Sequence, residues 1–169
     1  MSQDSRSFVR WRWVATAVGA ASLLFLASLP LRARESRRTE PEIDVRQILS
    51  ERRLPACPDF ANCVSSQADD PKRFVEPLTF EGDGEAALER LRTVLHQRQS
   101  SDLLRDHDGL IHVADRTPLL GFVDDVLFLL RPDARRIEVR SASRVGQGDL
   151  GTNRRRVEAL REAFHAEAR

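Results

Sequence analysis

The sequence has no tyrosine and only two tryptophans, Trp11 and Trp13, both outside any stretch that reads as a folded body. Its formal net charge is +1, so no global basic field points to nucleic acid. Two cysteines in the whole chain exclude a four-thiolate zinc site, and no histidine stands beside them to complete a mixed one. No Gly-Lys-Ser/Thr signature ends a glycine loop, which argues against a phosphate-binding P-loop. Internal repeats and low-complexity tracts are missing too. What is present is ordinary for a folded soluble domain: 31% charged and 41% hydrophobic residues over 169 positions. That length suits one modest domain plus extras.

Charge is absent from one long run, Val14 to Leu31. Its 18 residues would span about 27 Å as a helix, close to the thickness of a bilayer core. Trp11 and Trp13 stand where an aromatic belt would stand. The run could instead be a cleaved export signal. Yet Leu29, Pro30 and Arg32 leave no clean small-x-small cleavage site, so an uncleaved signal anchor is the better reading. Arginines flank both ends: Arg6, Arg10 and Arg12 before, and Arg32, Arg34, Arg37 and Arg38 after. Flanking charge therefore leaves the orientation open. The division expected is an anchor over 1–31, a polar juxtamembrane linker over 32–55 and a domain over 56–169. Within the linker, Glu42 to Arg53 has weak helical spacing, bracketed by Pro41 and Pro55.

Periodicity in the domain alternates between strand and helix. Phe74 to Phe80 reads as a strand, with Pro77 suggesting an edge. The next segment is helical, with Asp83 as N-cap and Leu88, Leu91, Val94 and Leu95 on one face. Residues 102–106 and 110–117 form a hairpin signal through Asp108-Gly109. Phe122 to Arg131 is the most apolar strand, and "PDAR" turns it back. Arg136 to Arg144 alternates, with Ile137, Val139, Ser141 and Ser143 pointing one way. A last helix carries Val157, Leu160 and Phe164 on one side. The expected fold is a small α+β domain: one mainly antiparallel sheet of about five strands, two helices packed on one face, and an N-terminal transmembrane helix.

Cys57 and Cys63 admit three readings: a disulfide, free structural thiols or thiol chemistry. A catalytic thiol wants a base, and the histidines are distant in sequence. A disulfide needs only the pair and an oxidising compartment, which an export segment supplies. It is the favoured reading. Closing so short a loop would contribute about 2.4 kcal/mol on the chain-entropy model.

The segments "CPDFANCVSSQ", "GFVDDVLFLL" and "VRSASRVGQGDLGTNRRRVEAL" together resemble the bacterial and plastid family called domain of unknown function 1499. The likeness runs over roughly residues 57–164 and departs at Ala61, where a proline is usual. It implies a small α+β domain, often behind an export signal or membrane segment, and brings no activity. With the cysteines it places this chain at the bacterial inner membrane, its domain in the periplasm.

The last of those segments poses a question. Arg154, Arg155 and Arg156 stand at the start of a helix, where the dipole disfavours cations. Successive helical residues lie about 100° apart, so three in a row cannot share one partner. Glycines and backbone amides there, with Arg144, Asp149, Asn153, Arg154 and Arg155, form a candidate anion site, with Thr152 or Asn153 as the cap. The competing reading is structural. Asp124 and Asp125 interrupt an apolar strand and need partners. Arg140, Arg144 and Arg156, with Ser143, would then form a buried polar network, Arg156 pairing with Asp124 or Asp125. His107 and His112 read as polar residues of a wet hairpin. Neither a metal nor a cofactor is implied. The function expected is non-catalytic: binding a small anionic or lipidic ligand, or supporting an envelope complex whose protein partner the sequence does not name. The alternative is a hydrolase or transferase using the Asp/Arg/Ser cluster.

Overall fold

A computed structural model describes residues 26–118 and 120–168. The chain is α+β, and the described residues form an antiparallel sheet of six strands and four helices. In chain order these are α1 (26–38), α2 (Val45–Glu51), β1 (Cys63–Ser65), β2 (Leu78–Thr79), α3 (Gly84–His96), β3 (Ser101–His107), β4 (Leu110–Arg116), β5 (Val123–Arg131), β6 (Arg136–Ser143) and α4 (Thr152–Ala166). The sheet runs β1-β6-β5-β4-β3, and β2 also pairs with β6.

Local chemistry explains most of the boundaries. Asp83 accepts from the Ala86 amide at 2.9 Å and starts α3 as expected. Asp108 and Gly109 both take positive φ, 52° and 81°, which is the twist that a two-residue hairpin between β3 and β4 requires. After β5 the chain makes a single 3-10 turn, Pro132–Ala134, and Arg135 reverses it in the left-handed region.

β5 is buried along both faces. Val126, Phe128 and Leu130 meet the main core beneath α3 and α4. Leu127 and Leu129 point the other way, to a second cluster with Ile48, Leu54 and Leu110. Two helices do cover one face, but the other face is not bare. α2 lies on it through Ile48, and the end of α1 is tied to the sheet by Ser36 and Arg37. The expectation of a sheet covered on one side is corrected on this point. So is the strand count. β1 was not anticipated, because a three-residue strand inside a cysteine loop has no periodicity to read. The strand expected over Phe74 to Phe80 contracts to Leu78–Thr79, past Pro77, and Phe74 keeps only an isolated bridge to Ser65. Part of the segment 32–55 is thus packed onto the sheet.

Among the described residues no helix is long and apolar enough to cross a membrane. The expected span, Val14 to Leu31, lies mostly in residues 1–25, outside the described ones. Of its last six positions, Leu26 and Leu31 are largely exposed.

Candidate functional site

Strand register sets the site. Asp115, Asp124 and Ser143 stand in one cross-strand row of β4, β5 and β6; Ala114, Asp125 and Ala142 stand in the next. Neighbours on a strand point to opposite faces. The paired aspartates of β5 therefore enter two separate networks, back to back through the sheet.

Under α4, Arg156 is the hub of the first. Its Nη2 donates to Asp124 Oδ2 at 2.5 Å, and its Nε meets Asp115 Oδ1 at 3.0 Å. Nη1 donates to Asn153 Oδ1 at 2.6 Å and to Ser141 Oγ at 3.1 Å. The other oxygen of Asp115 takes Ser101 Oγ at 2.8 Å and Arg98 Nη2 at 3.1 Å. Burial pushes the Asp124 carboxyl up, against the pull of Arg156. Asn153 joins this network to the cysteine loop by donating to the Asn62 carbonyl at 3.0 Å.

On the opposite face Arg144 grips Asp125 with two bonds, both 2.8 Å. His112 Nε2 lies 2.8 Å from the same carboxylate. Burial alone would raise Asp125, but His112 and Arg144 outweigh it and hold the carboxyl below its usual range. The same bonds push the Arg144 guanidinium up. His112 is only 2% exposed, which corrects its reading as a wet hairpin residue; His107, at the hairpin itself, is exposed.

The glycine loop settles the question of the three arginines. Arg156 is buried and paired, Arg155 is exposed, and Arg154 lies between. Arg155 turns back to the Leu150 carbonyl and Thr152 Oγ1, while Arg154 reaches the Lys72 carbonyl at 2.9 Å. The helix start is filled by the protein's own anion. Asp149 accepts from the Gly151 amide at 2.9 Å and from the Asn153 amide at 2.8 Å. Neither Thr152 nor Asn153 is the cap: both lie inside the helix, and Gly151 is the boundary residue. Of the candidate anion residues, Arg144 is thus committed to Asp125, and Asp149 and Asn153 to one another. Arg154 lines an open cleft of about 300 Å³ with Cys63, Asp70, Lys72, Arg73 and Asp149.

Of the expected structural network, Asp124, Ser143 and Arg156 share the face under α4, while Asp125 pairs with Arg144 on the other face. Ser143 meets Asn153 at 3.1 Å. Arg140 pairs with neither aspartate; its head reaches only the Ala56 carbonyl, at 3.5 Å. Sequence reasoning missed Asp115 and Arg98. The signal for Asp115 was available, since Ile111, Val113 and Asp115 alternate on one face of β4. No group of three or more metal-ligating side chains occurs among the described residues. Cys57 and Cys63 form a disulfide.

With the cysteine loop, the Asp-Asp strand and the arginine helix joined in one scaffold, the comparison with known families is direct. The family model described as "Protein of unknown function (DUF1499)" matches residues 53–164. The chain belongs to the DUF1499 family. No curated protein and no solved structure matches it. The DUF1499 match starts at the approach to Cys57 and ends at Phe164 in the core, so α1 and α2 precede it. Within the DUF1499 domain the motif residues join three distant parts of the chain: the loop after Cys57, the aspartate strand β5 and the first turn of α4.

Proposed function

We propose that this protein is a non-catalytic, membrane-anchored binding domain that faces the periplasm and holds a small acidic ligand, either a free anion or a lipid headgroup. The observation that carries this reading is the contrast between closed and open charge. The carboxylates and the histidine that acid–base chemistry would need are buried and bonded: Asp115, Asp124, Asp125 and His112. The open cleft beside Cys63 instead gathers Lys72 and Arg73 from the segment after β1 and Arg154 from the first turn of α4, beside the carboxylates of Asp59, Asp70 and Asp149. Arg73 already has carboxylates near it, Asp59 and Asp70, each at 3.6 Å, so Lys72 and Arg154 are the residues expected to meet the ligand.

The test is native mass spectrometry of the full-length chain taken from its own membrane in non-ionic detergent. The expected result is an acidic small molecule or lipid adduct on the wild-type protein, lost in a Lys72→Ala, Arg154→Ala double variant of unchanged stability. A wild-type spectrum without adducts, or adducts indifferent to the two substitutions, overturns the reading.

A further inference from the structure

A cation of β6 stands outside both networks. Arg140 projects from β6 onto the face that bears Asp125, opposite Ser65 of β1 and Leu127 of β5. Its Nε is shut off from solvent with no hydrogen-bond partner. Its only bond is the 3.5 Å contact from Nη2 to the Ala56 carbonyl. The carboxylates of the same face are engaged elsewhere. Asp125 is held by Arg144 and His112, and Glu138 by Arg136 Nε at 2.7 Å and Ser66 Oγ at 2.6 Å. Burial pushes the Arg140 guanidinium down, and the charge of Asp125 only partly restores it.

A part-buried guanidinium that makes no ion pair among the described residues adds little to the fold, and exchange of buried charge for apolar side chains of similar size is often neutral or stabilising. Arg140 is therefore poorly explained by stability. Its surroundings are nevertheless fixed. The strap 54–57 above it is tied at one end by the Leu54 amide, which donates to Gln67 Oε1 at 2.8 Å. The other end is tied by the disulfide from Cys57 to Cys63, whose strand lies next to β6. A planar fork with spare donors under a fixed wall matches a bidentate oxyanion.

We propose that Arg140 anchors a second anion site, beneath the strap 54–57, that takes a small oxyanion of the carboxylate or phosphate class. The site shares no residue with the cleft of Lys72 and Arg154, and stands or falls without it.

The full-length chain in non-ionic detergent at pH 7 is melted in sodium chloride, sodium phosphate and sodium acetate at equal ionic strength, followed by circular dichroism. In a Lys72→Ala, Arg154→Ala background, which removes the cations of the cleft, phosphate or acetate raises the midpoint by about 5 °C at ten times its dissociation constant. Adding Arg140→Met abolishes that shift, and Arg140→Met alone, in chloride, melts no lower than wild type. The proposal is overturned if neither oxyanion moves the midpoint of that background, or if the shift persists when Arg140→Met is added. A fall in the Arg140→Met midpoint in chloride also overturns it, because Arg140 would then belong to the scaffold.

Discussion

Arg156 holds two carboxylates on one guanidinium, Asp124 through Nη2 and Asp115 through Nε. Its side chain is 4% exposed, so neither carboxylate can turn to water if the arginine is removed. Breaking one member of a buried pair costs about 3–5 kcal/mol, and a loss in that range is expected of Arg156→Ala, which leaves Asp124 without its cation while Asp115 keeps Arg98 and Ser101. Arg155, one residue away, is exposed and bonds only within its own turn. Arg155→Ala should cost less than about 1 kcal/mol. Chemical denaturation of both variants checks the contrast, and equal small losses would contradict the network described here. Asp125 gives a pH test with a defined sign. Its carboxyl is held below its usual range, so the folded protein gives up that proton at lower pH than the unfolded chain does. The stability it contributes is present above about pH 4 and is lost as the pH falls through the folded value. Wild-type stability in urea should therefore fall more steeply on the acid side of pH 4 than that of Asp125→Asn; parallel acid limbs would refute it. The sequence marked Asp124, Asp125, Arg144 and Arg156 as mutual partners because charge inside an apolar strand must be compensated. It could not assign Arg98 to Asp115 or His112 to Asp125, because those pairings depend on register between strands, which one strand's pattern does not encode.

At the scale of elements, the start of α4 is the instructive case. A glycine loop, a helix start and three arginines suggest an external anion, yet Asp149 already accepts from the Gly151 and Asn153 amides. Asp149 also bonds the Asn153 side chain at 2.8 Å, which places that side chain to meet Ser143 and the Asn62 carbonyl. The carboxylate is thus both a helix cap and a brace for the polar network. Asp149→Ala should cost about 1–2 kcal/mol, in the range of cap losses, with α4 the first helix to gain amide hydrogen exchange. A neutral effect would mean that the Asp149 carboxylate is not what satisfies those amides. Elements with a strong period were legible in the sequence: α3, α4 and the strands β3 to β6. β1 was not, because three residues carry no period, and β2 was legible only as part of the longer strand expected over Phe74 to Phe80. The second covered face was missed for a related reason. α2 is seven residues long and its apolar positions, Val45, Ile48 and Leu49 with Ile43 before it, are too few to reveal that it packs on a sheet.

At the scale of the whole molecule, the proposed topology rests on the disulfide more than on charge. Arginines flank Val14 to Leu31 on both sides, so the positive-inside rule does not choose between orientations. The proposed orientation rests instead on the Cys57–Cys63 bond, because such bonds persist in oxidising compartments and are rare in the cytoplasm. Without residues 1–30 the chain has one more acidic than basic residue, so bulk charge does not hold the domain on anionic lipid. On the proposed reading, attachment comes from the apolar run itself. The expected outcome is that the full-length chain resists alkaline extraction from membranes, and that a reporter fused after Arg169 is active only outside the cytoplasm. Thiol labelling without reductant should leave both cysteines unmodified in the same preparation. Release of a shortened soluble form would show that the segment is cleaved and that the anchor reading is wrong. A reporter active in the cytoplasm would reject the orientation even if the chain stayed in the membrane. Full labelling of both thiols would reject the compartment argument at its source, since the disulfide is the one feature that decides between the two faces.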